Sequence, residues 1–368
     1  MQITAIETTK ISVPYAIDFD IAGGGTLTAD HVLVELHTDA GVTGIGEASP
    51  SPFFSSESQE TVAAVIDGHI APALEGEDPS QIGTIHRLMD RAIKGNPFAK
   101  TAVDMACYDA TGKDLGVPAS TLLGGRHRDR ISVGQSIGIK DTADAVADAR
   151  MYVDDWGFNS IKIKVGGDPA EDLERSKRII DEVGDDVPVR IDANQGFTVD
   201  VAIPFFTELE EYGDLLFVEQ PVSKTDLVGM SRVTGAITTP VLADETVFGP
   251  TDAVDVIREQ AADIISIKIN KAGGLYRSQQ IGAIAAGAEL PLAIGSMVEC
   301  GVGTAAGAQF AASQPHATYP SDVKGPSLME GSILEEPVRI DDGYTYVPDA
   351  PGLGVALDED AVEQYRVE

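Results

Sequence analysis

Cysteine is almost missing from this chain. Cys107 and Cys300 are the only two in 368 residues, which excludes a disulfide framework and leaves two expected buried thiols. Basic residues are also scarce: 26 Lys and Arg stand against 59 Asp and Glu, a formal charge of −33. A surface so acidic repels nucleic-acid phosphates and anionic membranes, so neither is an expected partner. The acids run along the whole chain rather than collecting in a tail, the pattern expected of a protein kept soluble in a very salty cytoplasm. No run of 18 apolar residues occurs, and MQITAIETTKISV lacks a basic flank followed by an apolar stretch, so a cytosolic protein is expected. Gly (38) and Pro (20) do not gather in low-complexity tracts, and 43% apolar residues is ordinary for a soluble enzyme.

The length points to two domains or to one large barrel with an appendage. Residues 3–12 and 31–37 alternate like strands, and GVTGIGEAS after a tight turn reads as a third, giving a small antiparallel sheet. Between the first two, DIAGGGT reads as a flexible flap; it lacks the Lys-Ser/Thr ending of a phosphate cradle. Helical patterns follow around 57–73, 80–94 and 98–115 and complete an α+β unit over residues 1–125. From 131 onward, short apolar strands alternate with amphipathic segments: ISVGQSIG, SIKIKV, VPVRID, LLFVE, PVLAD, DIISIK, LPLAIG and a poorer eighth near ATYPSDV. From 160 to 290 their starts are 27, 28, 25, 23 and 27 residues apart, the length of a strand, a helix and two short loops. Eight such units predict an α/β fold, a (β/α)₈ TIM-type barrel over 126–320 beneath an N-terminal α+β capping domain. The last segment, 321–368, is expected to return to that cap.

Charges at strand ends carry the chemistry of such barrels. Asp192 closes VPVRID, Glu219 closes LLFVE and Asp244 closes PVLAD. Neighbouring strands lie about 4.8 Å apart, so the three carboxylates are expected at one height, around one cation. A single acid there would read as a helix cap; three on consecutive strands, one of them a Glu, read as a site. Oxygen ligands without His or Cys favour Mg²⁺, with Mn²⁺ able to substitute. Lys162 and Lys164 share one face of the preceding strand and Lys268 ends the following one, so lysines flank the acids. A desolvated lysine beside another cation is expected to have a lowered pKa and to serve as a general base. Salt bridges from these lysines to the acids are the plainer alternative.

These residues, with GVTGIGEASP, AVDMACYDATGKDLGVPASTLLGG, IKIKVG, RIDANQG, FVEQP, LADET, ISIKINKAGG and PGLGV, resemble the enolase superfamily, and its muconate-lactonizing-enzyme subgroup, over nearly the whole chain. The resemblance implies a modified barrel with Asp192, Glu219 and Asp244 as Mg²⁺ ligands. It makes Lys164 and Lys268 the opposed acid/base pair and Lys162 the partner that orients substrate and tunes Lys164. Asn194 and Glu245 would support the ligands, and Glu299 would lie near the substrate carboxylate. Such enzymes remove a proton beside a carboxylate and offset the enediolate charge with the metal. Homo-oligomers are common among them.

The subgroup includes cycloisomerases, N-acyl amino acid racemases, dipeptide epimerases and o-succinylbenzoate synthases. Its dipeptide epimerases carry Asp-x-Asp after the eighth strand, where this chain has SDVKGP: Asp322 fits, but Lys324 replaces the second acid. Lys324 suits an anionic distal group. The loops DIAGGGT and SPFFSS, with Phe53 and Phe54, are expected to close over that end. Racemisation or epimerisation of an acyl amino acid or dipeptide-like carboxylate is the first expectation and muconate-type cycloisomerisation the second. Lyases rank lower, since sugar-acid dehydratases use histidine and none stands at a barrel strand end; a non-catalytic binding barrel would not need all six charged residues.

Overall fold

The computed structural model of the chain describes residues 1–16, 27–52 and 54–368. Phe53 and the DIAGGGT flap lie outside the described residues.

Three strands, β1 (Ile3–Pro14), β2 (Thr28–Thr38) and β3 (Thr43–Ala48), form the expected antiparallel sheet in the order β1-β2-β3. Its hydrophobic face packs on the helix Pro97–Leu115, in which residues 98 to 112 are all buried. A helix buried on every side belongs between two layers, and this one separates the cap sheet from the barrel. The GVTGIGE glycines permit the contact: a Cβ on Gly46 would stand 1.9 Å from the Ala102 carbonyl oxygen. The helix stops at Gly116, which adopts the left-handed conformation at φ 68°.

The barrel contains seven parallel strands rather than eight. After β4 (Arg130–Ser132) come β5 (Gln135–Ile137), β6 (Ile161–Lys164), β7 (Val189–Asp192), β8 (Leu215–Glu219), β9 (Val241–Ala243), β10 (Ile264–Ile267) and β11 (Leu292–Ile294). They pair in unbroken sequence from β5 to β11. ATYPSDV occupies the eighth position without becoming a strand, tied by isolated bridges Leu292↔Ala317 and Val133↔Ser321. Pro320 has no N–H to give a ladder there. ISVGQSIG is not one strand either. Its first part, β4, pairs antiparallel with β13 (Tyr344–Tyr346), itself the partner of β12 (Ile340–Asp341), and its second part opens the parallel sheet. Gly134 marks the break, where a Cβ would meet Arg190 Nη2 at 2.2 Å. The C-terminal segment touches the N-terminal unit at Tyr15↔Met329, then joins β4, and returns to that unit through Pro118↔Gly352 and Ile11↔Arg366.

Strand alternation sorts the barrel wall. Ile161, Ile163, Val189, Ile191 and Val218 join the large core beneath the helices. Phe217, Leu242, Ile264 and Ala293 form a separate apolar plug. Above that plug the inward residues are charged. Among the described residues no helix is long and apolar enough to cross a membrane.

Candidate active site

Lys162, Lys164, Asn194, Lys268, Asp322 and Lys324 line one cavity of about 290 Å³, closed on the cap side by residues that include His31 and Phe54. The carboxylates lie at its base, nearly inaccessible: Asp192 is 1%, Glu219 3% and Asp244 0% exposed. Asp192 and Glu219 are register partners on adjacent strands. Glu219 pairs with Leu242, however, so Asp244 stands two residues farther along its strand than the expected common level. Tilted barrel strands produce such a stagger.

Each acid holds a lysine. Lys164 Nζ donates to Asp192 Oδ2 at 2.6 Å, Lys162 Nζ to Glu219 Oε2 at 3.1 Å, and Lys268 Nζ lies 2.7 Å from Asp244 Oδ2. The expected lowering of the lysine pKa is therefore overturned at two positions. Burial does lower Lys162, but Asp322, Glu219 and Asp192 outweigh it and hold the ammonium above its usual range. Burial of Lys268 is likewise outweighed by Asp244, Glu245 and Glu219. At these two amines charge pairing exceeds desolvation.

The arrangement fits a divalent cation. Burial, reinforced by Asp192, pushes Glu219 up to about 7 against the pull of Lys162. Glu245 is likewise pushed up to about 7, first by burial, then by Asp244 and Asp192. Glu245 Oε2 is a buried oxygen with no hydrogen-bond donor among the described residues. Anionic oxygens crowded until Glu219 and Glu245 resist ionising, one of them lacking a donor, are what a cation on Asp192, Glu219 and Asp244 would relieve.

Around this centre Asn194 accepts from Lys164 Nζ at 2.7 Å and donates to Glu245 Oε1 at 3.1 Å, joining lysine to acid. Its backbone is left-handed at φ 41°, as is that of Val298 at 59° in the cavity wall. For a β-branched residue that is a strained conformation, and strain gathers at working sites. Asp322 is not free to meet an ammonium: Lys162 Nζ lies 2.5 Å from its Oδ2 and Arg190 Nη1 3.2 Å from its Oδ1. Lys324 is 3% exposed on the cavity wall, and no carboxylate lies within 4.0 Å of its Nζ among the described residues. Burial brings it down to about 7, with Asp322 opposing and Lys162, Arg190 and Lys164 adding to the fall. Phe54 stacks on Phe248 at 5.5 Å, and Lys268 Nζ lies 4.8 Å from the Phe54 ring.

Glu299 does not line the cavity. Its Oε1 accepts from Asn270 Nδ2 and Met297 N, each at 3.1 Å, while Ser296 takes Oε2. Three residues with ionisable side chains escaped the sequence reading. Arg190 alternates with Asp192 on one strand face, a period-two signal that could have revealed it. Lys271 bonds Asp244 Oδ1 at 2.6 Å and is wholly buried; its spacing of three from Lys268 was the available clue. His31 enters from the cap with Nδ1 2.8 Å from Glu47 Oε1. His31, Glu47 and Cys300 offer three ligand atoms within 4.8 Å of one another. Glu47 is already occupied, accepting from Cys300 N at 2.6 Å and Gly303 N at 2.7 Å as the cap of the helix Gly301–Ser313.

Known proteins similar to this chain place it in a family. Residues 4–124 match the mandelate racemase / muconate lactonizing enzyme N-terminal domain and residues 144–361 the enolase C-terminal domain-like family. The chain is 35% identical to the L-Ala-D/L-Glu epimerase of Bacillus subtilis, over 96% of this chain and 97% of that one. It is 34% identical to muconate cycloisomerase 1 of Rhodococcus opacus, over 99% and 98%. The structure of the N-succinyl Arg/Lys racemase from Bacillus cereus superposes with a TM-score of 0.96 at 31% identity, covering 100% of this chain and 99% of that one. With both of its family domains matched and full-length isomerases among its relatives, the chain belongs to the mandelate racemase/muconate lactonizing enzyme family of isomerases in the enolase superfamily.

Proposed function

We propose that this protein is a Mg²⁺-dependent racemase or epimerase acting on the α-carbon of an acyl amino acid or dipeptide-like carboxylate, with Mn²⁺ able to replace Mg²⁺. One observation carries the reading: Lys164 ends β6, Lys268 follows β10, and both amines reach the same cavity from either side of the three acid-bearing strands. Two amines so separated suit removal of a proton from one face of a carbon and its return on the other. Asp192, Glu219 and Asp244 would hold the metal, which when bound supplies countercharge for the substrate carboxylate as the α-proton leaves. Lys162 steadies Asp322 and Glu219 beside Lys164, Asn194 and Glu245 fix Lys164, and Phe54 covers Lys268. In this reading residues 1–125 form the cap, 126–320 the barrel and 321–368 the segment returning to the cap. Lys324 meets an anionic distal group of the substrate.

The test is a library of N-acylated amino acids, dipeptides and diacids incubated with Mg²⁺ in D₂O and molar salt, read by mass. Racemisation places deuterium at the α-position from either enantiomer. A second reading, muconate-type cycloisomerisation, is supported by the cycloisomerase relative; conversion of muconate to a lactone with one labelled site would replace the first. A product lighter by water would indicate a lyase and sink both.

A further inference from the structure

Asp244 carries a cation on each oxygen. Lys268 Nζ lies 2.7 Å from Oδ2 and Lys271 Nζ 2.6 Å from Oδ1. Lys271 also donates to the main-chain carbonyl of Asp244. Both lysines come from one short stretch: Lys268 is the extended residue before the helical turn Ile269–Ala272, and Lys271 lies within that turn. A spacing of three along a helical turn brings side chains to one side, so the two ammoniums grip a single carboxylate from neighbouring positions. Asn270, between them, donates to Glu299 and accepts from Ser49 N at 3.1 Å, which fixes the turn against cap and barrel together.

The two lysines are not equivalent. Lys268 lines the cavity and keeps 9% of its surface open; Lys271 keeps none. Lys271 therefore cannot touch a substrate. Burying an ammonium costs several kcal/mol unless it is well paired, and a four-residue turn could be closed by any helix former. The pairing partner is the reason for a lysine here. On the other oxygen, Lys268 Nζ lies 2.7 Å from Oδ2 and also opens onto the cavity.

We propose that Lys271 is a positioning residue for Asp244. It clamps Oδ1 and the carbonyl oxygen, turns Oδ2 toward the centre shared with Asp192 and Glu219, and remains as countercharge when Lys268 leaves Asp244 for the substrate. The inference rests on the metal-dependent reading above and adds a residue that acts through a ligand.

Mg²⁺ titrated calorimetrically into the full chain, into Lys271→Met and into Lys271→Gln, with melting curves of each, tests it. Were Lys271 mere filling, loss of a positive charge beside the site would leave Mg²⁺ affinity unchanged or raise it. A positioning role gives the opposite sign: affinity falls about 10–100-fold in Lys271→Met. It falls less in Lys271→Gln, whose amide can still donate to Oδ1. Equal or tighter Mg²⁺ binding by a folded variant overturns the proposal. Should Lys271→Met fail to fold, Lys271→Gln decides by the same criterion. Absence of Mg²⁺ binding in the unmodified chain would instead overturn the metal reading and this inference with it. Mg²⁺ binding without turnover of any carboxylate in the library would strike only the substrate assignment.

Discussion

Lys164 and Asp192 are register partners at the ends of β6 and β7, and their side chains meet as Nζ and Oδ2 at 2.6 Å. One residue is the expected base and the other an expected metal ligand, so in this state each satisfies the other. Replacing Lys164 with Ala is expected to lower α-deuterium exchange by about 10²–10⁴-fold, the usual contribution of a positioned acid or base. Mg²⁺ binding should persist, because removing the lysine frees Asp192. Parallel calorimetry and D₂O exchange distinguish this from a binding barrel, in which neither would change.

Metal removal gives a second expectation. Dialysis against EDTA should abolish exchange, and added Mg²⁺ or Mn²⁺ should restore it, since hard oxygen ligands accept either ion. Glu219→Gln should resist restoration at Mg²⁺ levels that saturate the unaltered chain. Full exchange in EDTA would end the metal reading.

Lys324 makes the pH dependence specific. Its proton leaves near pH 7, drawn down by burial and by Lys162, Arg190 and Lys164 against the pull of Asp322. Below that pH the side chain is an ammonium able to meet a distal carboxylate; above it the charge is lost. KM for a substrate with such a group should climb from about pH 7, approaching tenfold per unit. Lys324→Met should raise KM at pH 6 and flatten the rise. The stability effect follows from the same lowering: between about 7 and the ordinary 10.5 the unfolded chain binds the extra proton, so this residue makes stability increase with pH across that window. A KM for acidic substrates that is flat between pH 6 and 9 would contradict the assignment.

Gly46 tests the fold independently of catalysis. With a Cβ due 1.9 Å from the Ala102 carbonyl oxygen, Gly46→Ala must push β3 off the central helix. Overpacking of this kind costs about 1–3 kcal/mol. The urea midpoint should fall with little change in slope, and an unchanged midpoint would show that the sheet and helix can separate at no cost.

Much of this was legible in the chain. IKIK, VRID, LLFVE and the lysine after IISI announced both the strands and the inward direction of their charges, because a period of two leaves little choice once the isoleucines and valines are committed to the helices. The eighth strand misled because ATYPSDV has the right position in the rhythm but contains Pro320. The register of Asp244 was hidden because stagger belongs to the closed sheet and not to any single strand. Lys271 and His31 were missed for a different reason. The first lies three residues past the strand end at which charges were sought, and the second comes from a distant sheet whose docking no local pattern records. The pKa of Lys162 turned on Asp322, about 160 residues away, a neighbour that only folding supplies.

The seam between β11 and β5 has a wider implication. Asp322 and Lys324 hang from a stretch joined to its neighbours by isolated bridges and single main-chain bonds such as Asp322 N to Ile294 O, while the lysines and acids of the opposite wall sit on or beside continuous ladders. Asp322 is nonetheless tied to Lys162 and Arg190, so of the two only Lys324 stands apart from the paired charges. On the function proposed above, a change of substrate should therefore be tolerated at Lys324 and not at Asp322.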